Sequence, residues 1–244
     1  MSGLEQLAYS DGETALTGWL ARPAGAARAA IVVFPTIVNI TPATERRAKM
    51  LAEAGFVAMV ADFYGRSPSS FEEAGPLSKE LTADPDRFRA RLTAAASALR
   101  SHPAAQGLPL AAIGFCMGGQ SAIELARAGE ELAFAASFHG TFRTRRKASA
   151  DAPHKPRLLI CHGDADPLAP REDVLALWEE LDAAGYRWHF HGYSGVRHGF
   201  TDPASDARGL DAIRYDASAD RQSWEALMNL ADEVFGQAET AQSL

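Results

Sequence analysis

The sequence predicts an α/β fold: a mostly parallel central sheet, helices on both faces, and an antiparallel hairpin at the N-terminus. Three observations carry the prediction. Short, continuous, β-rich apolar runs recur, as at residues 29–34 and 56–61, which suits strands buried on both faces. Segments with helical periodicity alternate with these runs. The first 21 residues instead carry two strand-like pieces around Ser10-Asp11-Gly12, a turn signal.

The elements follow in order. Residues 5–21 read as the hairpin, its second arm being 14–21. Residues 29–34 form a strand that stops at Pro35-Thr36-Ile37. Thr41 is placed to cap a helix, with Pro42 in its first position and Glu45 in its first turn; Gly55 closes it. Residues 56–61 form the next strand and lead into Asp62-Phe63-Tyr64-Gly65. Residues 66–84 are turn-rich and read as an irregular excursion over the top of the sheet. Residues 86–99 form an alanine-rich helix. Strands follow at 108–113, 133–138, 157–161 and 186–191, with helices at 120–127, 172–184 and 216–235. The basic loop at 143–147 reads as a solvated surface. No internal repeat or linker divides the chain, so residues 1–244 are expected to form a single domain, with a loosely held tail from about 237.

Composition excludes several function classes. The 244 residues are 47% hydrophobic, ordinary for a protein with a substantial core. A net charge of -7 provides no basic footprint for nucleic acid. No run approaches a membrane span, and the N-terminus has neither a basic start nor an apolar stretch. The two cysteines, Cys116 and Cys161, form no disulfide framework or metal cluster. The expectation is a cytoplasmic protein that binds neither nucleic acid nor membrane. Monomer and dimer both remain open.

Residues 113–119, Ile-Gly-Phe-Cys-Met-Gly-Gly, join a strand to a helix through a sharp turn. Gly114 and Gly118 flank Cys116 at −2 and +2, a nucleophile elbow with sulfur in place of oxygen. Side chains at those two places would collide with the neighbouring strand and helix. The helix start behind the turn favours thiolate. The Met117 N–H faces where a substrate carbonyl would lie. A buried structural cysteine in a glycine-rich turn is the bland alternative.

Asp166 and His198 follow later strands, in His162-Gly163-Asp164-Ala165-Asp166 and Gly195-Val196-Arg197-His198-Gly199-Phe200. The order Cys, Asp, His suits nucleophile, orienting acid and base, all at the carboxyl ends of strands. Asp164 competes with Asp166 for the acidic role. His139 and His162 sit at strand ends near this site, while His189 and His191 share one strand face and lack a third ligand.

Together these pieces resemble the dienelactone hydrolase family. The resemblance runs over residues 12–235 and also takes in Gly55-Phe56-Val57-Ala58 and Tyr215. It implies an α/β-hydrolase fold without a large cap domain, no cofactor, and a Cys116-His198-Asp166 triad acting on an ester or lactone through a thioester. Met117 and Ile37 would supply the oxyanion N–H groups. Two departures from the family pattern stand out. Thr36 holds the place of a family glutamate that interacts with the cysteine. Asp202 lies where acid-binding members carry an arginine, and would repel a substrate carboxylate; Arg66 or Arg87 would have to compensate. Phe63 and Tyr64 are further candidates to line the site. Two other readings stay open: a redox-sensing thiol without turnover, and acyl transfer to an acceptor other than water.

Overall fold

A computed structural model describes residues 4–236. The tail beginning near 237 lies outside them. One eight-stranded sheet organises the chain, with strand order β1-β2-β4-β3-β5-β6-β7-β8. The hairpin is β1 (Glu5–Ser10) and β2 (Ala15–Ala21), paired antiparallel with Ser10 opposite Ala15. It joins the sheet through β2 and β4 (Phe56–Val60), also antiparallel. From β4 onward every neighbour is parallel: β3 (Ala29–Phe34), β5 (Leu110–Phe115), β6 (Phe134–Phe138), β7 (Arg157–Gly163) and β8 (Trp188–Tyr193).

Every residue of β3, β4, β5 and β6 is buried, because both sheet faces are covered. Alternate residues feed two cores. Val32 and Phe34 face one with α3 (Pro85–Ser101), α4 (Met117–Arg127) and α5 (Arg171–Ala184). Ile31 and Val33 face the other with α1 (Pro42–Glu53) and α6 (Ala217–Phe235). The two-residue alternation of a pleated strand sorts the side chains.

The expected capping at Thr41 is present: its side chain accepts the Thr44 N–H, and Thr44 reciprocates to the Thr41 N–H. The stretch 66–84 departs from expectation. It holds a thirteen-residue helix, α2 (Phe71–Ala83). Ser70, within the stretch read as turn-rich, is its N-cap, and Glu72 and Glu73 occupy the first turn. Pro76 lies inside α2 without ending it. Strand ends also shift: β5 and β8 begin two residues later than the sequence predicts, so Phe115 and Tyr193 belong to strands. The basic loop is tied down at its surface, Arg143 on Asp173 and Arg146 on Asp86.

Candidate active site

The carboxyl ends of the parallel strands gather the chemistry-bearing residues in one place. Cys116 follows β5, His139 follows β6, Asp166 lies beyond β7, and His198 beyond β8.

At the elbow, Cys116 has φ 58° and ψ −119°, a conformation that costs about 1–3 kcal/mol outside glycine. Its neighbours explain how it is held. A Cβ on Gly114 would lie 1.9 Å from the Gly118 carbonyl oxygen, and one on Gly118 would lie 2.0 Å from that of Phe34. Strand, turn and helix therefore pack at a distance only glycine permits. The amides of Gly119 and Gln120 both bond to the Cys116 carbonyl, starting α4 at the sulfur-bearing residue.

His198 is buried and its Nδ1 lies 2.7 Å from Asp166 Oδ2. The other Asp166 oxygen accepts the Leu168 N–H at 2.8 Å. Asp164 instead points outward to Arg171. His198 Nε2 is buried with no hydrogen-bond partner, and the ring is electrostatically coupled to Cys116.

Burial pushes the Cys116 thiol up. The positive charge of His198, joined by the backbone N–H groups of Met117 and Ile37, outweighs it, so the thiol lies below its ordinary 9.0. Burial likewise opposes charge on His198, but Cys116 and Asp166 raise its pKa to about 10. The arrangement favours a thiolate beside an imidazolium. The Ile37 amide is presented by a turn in which Asn39 N–H bonds to the Thr36 carbonyl. Asn39 in turn donates to Asp62 Oδ1, and that oxygen also accepts the amides of Tyr64 and Gly65.

A narrow cleft opens over Cys116 and His198. Of the expected lining residues, Thr36 and Asp202 border it. Thr36 Oγ1 is buried there without a partner. Tyr64 lies beside the cleft, its hydroxyl 3.5 Å from Met117 Sδ. Two expectations are corrected. Phe63 is 1% exposed and stacks on Phe34, behind the cleft. Arg66 extends into solvent and pairs with Glu73; Arg87 likewise pairs with Glu80. His162 is buried between Phe142 and Phe190 and does not border the cleft. Exposed His189 and His191 are remote from it, and among the described residues no cluster of His, Cys, Asp or Glu could hold a metal.

Several bordering residues escaped the sequence reading: Arg47, Phe71, Arg208 and Ile213. Arg208 pairs with Asp202 and lies over the Phe71 ring at 4.8 Å. Asp202 is therefore matched by a cation rather than free to repel. Arg47 is 3% exposed and paired with Asp220. A signal for Arg47 existed, since it shares the buried stripe of α1 with Thr44, Ala48 and Leu51.

Residues 16–235 match the model of the dienelactone hydrolase family. The chain is 34% identical to the solved structure of m3DLH, covering 95% of this chain and 98% of that one with a TM-score of 0.88. It is 32% identical to P91, a dienelactone hydrolase-like promiscuous phosphotriesterase from metagenomic libraries, with the same coverage and a TM-score of 0.89. A probable 2-oxo-3-(5-oxofuran-2-ylidene)propanoate lactonase of Bradyrhizobium sp. is 28% identical over 81% of this chain and 84% of its own length.

Proposed function

We propose a mechanism and a substrate preference from one premise: the chain belongs to the dienelactone hydrolase family and is a hydrolase of carboxylic esters or lactones. The observation that carries the mechanism is the buried Asp166–His198 pair coupled to the Cys116 sulfur at the elbow.

Cys116 thiolate attacks the ester carbonyl. The N–H groups of Met117 and Ile37, which favour the thiolate, stabilise the developing oxyanion. The tetrahedral intermediate collapses to a thioester as His198 gives its proton to the departing alkoxide. Neutral His198 then takes a proton from water, and the resulting hydroxide attacks the thioester. Carboxylic acid leaves, and the sulfur departs as thiolate beside protonated His198. Asp166 holds the imidazole in the tautomer with Nδ1–H and stabilises its charged form.

The preference is for a compact, uncharged acyl group. Ala43, Phe71, Phe115 and Ile213 give the cleft an apolar lining, and each of its guanidinium groups already has a carboxylate. An anionic substrate would have to displace Asp202 or Asp220. The relation to P91 favours a second activity, thiolate attack on phosphotriesters. Two free thiols suit a reducing, cytoplasmic setting.

Hydrolysis of a series of short-chain neutral esters and their carboxylate-bearing counterparts tests the reading. Wild type turns over the neutral series faster and Cys116→Ala loses at least about a thousandfold in kcat. Equal rates for the two proteins would remove Cys116 from the chemistry. Peroxide-reversible modification of Cys116 without any ester turnover would instead support a redox role.

A further inference from the structure

His139 touches both the Cys116 amide and the His198 ring, and no step above uses it. It follows β6 at φ 40°, a left-handed conformation uncommon outside glycine, and it is 2% exposed. Both ring nitrogens are committed. The Cys116 N–H is shared between the Phe138 carbonyl at 3.0 Å and His139 Nδ1 at 3.1 Å, and Nε2 lies 2.8 Å from Thr201 Oγ1. A nitrogen that accepts an amide hydrogen carries no proton of its own. In the tautomer that accepts it the ring is neutral, with its proton on Nε2 and donated to Thr201. Thr201 is three residues beyond His198, and Arg47 donates to its carbonyl. The His139 ring also stands edge-on to that of His198, with centroids 5.1 Å apart.

We infer that His139 is a positioning residue: as a neutral imidazole it ties the elbow to the loop bearing His198 and sets the approach of that base to the sulfur. The inference rests on the reading of Cys116 as nucleophile. Neutrality matters because a second cation at this range would drive the proton off His198. The charged and titratable groups facing His139 are His198, Arg47, Arg208 and Cys116. Burial first, then the three cationic groups, hold its pKa well below the usual histidine value.

The test compares His139→Leu, His139→Gln and Thr201→Val. It reads kcat, KM, thermal stability, and the ultraviolet thiolate absorbance against pH. Cys161 is silent in that titration because burial pushes its thiol up to about 12. His139→Leu is expected to lose about 10- to 100-fold in kcat with KM within about threefold. The thiolate titration moves upward toward an ordinary thiol. His139→Gln, whose amide can accept and donate at comparable places, recovers most of the loss. Adding Thr201→Val to His139→Leu costs nothing further, since the two act through one link. A folded His139→Leu protein with wild-type kcat and an unmoved titration overturns the inference. So do losses in all variants that merely track melting temperature. The titration needs no turnover: a wild type that hydrolyses no ester would sink the nucleophile reading, and the absorbance would still decide whether His139 sets the Cys116–His198 pair.

Discussion

The two cysteines end up with opposite chemistry on neighbouring parts of one sheet. Cys161 belongs to β7, opposite Phe138 in the ladder, and is fully buried. Its neighbour is the Tyr193 hydroxyl, so burial dominates and the thiol is raised to about 12. Cys116 also suffers burial, yet its thiol is lowered. Its backbone leaves the strand at positive φ, which turns the sulfur out of the sheet toward two amides and an imidazole. Removal from water makes a thiol inert unless the fold supplies donors and positive charge to replace the water.

That contrast can be broken or sharpened by experiment. The largest difference is expected in alkylation of the native protein by iodoacetamide near neutral pH. A thiol below 9.0 and one near 12 differ by at least three units, so Cys116 is expected to label at least about a thousandfold faster. Peptide mapping over time measures the ratio, and comparable labelling of the two would show that the elbow does not activate its sulfur. Asp166→Asn should come next, lowering kcat about 100- to 10,000-fold, because the amide stabilises the wrong tautomer and no longer supports the charged ring. Its Cys116 thiol should titrate closer to 9.0; an unchanged titration would separate Asp166 from thiolate formation.

The pH profile of kcat/KM is a subtler check. Below the lowered Cys116 pKa the sulfur gains a proton and activity falls about tenfold per unit. Above about 10, His198 loses its proton and the leaving group loses its acid. A plateau bounded below by an acid limb under 9.0 and above by a fall near 10 is therefore expected. An acid limb at or above 9.0 would contradict the coupling. The smallest effect belongs to Cys161→Ala, with kcat within about twofold and stability lower by about 1 kcal/mol from the missing buried sulfur. Chemical denaturation and steady-state rates measure both, and a large loss of kcat would give Cys161 a role its surroundings do not support.

How much of this was legible in the sequence depended on whether a local pattern set the outcome. The elbow was legible because Gly114 and Gly118 sit at fixed offsets from Cys116, and the close approaches that require them are backbone contacts within one strand–turn–helix unit and its neighbour β3. Asp166 and His198 were legible through order and position at strand ends. The walls of the cleft were not. Arg208 reaches Phe71 across the molecule, and Arg47 reaches Asp220 on α6. No short-range pattern encodes those meetings. Helix α2 was missed for a different reason: Ser70 caps it and Pro76 is tolerated within it, so residues that usually interrupt structure here begin or occupy it. Arg66 and Phe63 sit near Tyr64 in sequence, yet one turns to solvent and the other to the core.

The matched charges around the cleft carry a consequence for substrate capture. Arg47 with Asp220 and Arg208 with Asp202 cancel locally, so the mouth projects little long-range field for added salt to screen. Encounter with a neutral ester should then be governed by desolvation of the apolar walls, and KM should stay level as ionic strength rises.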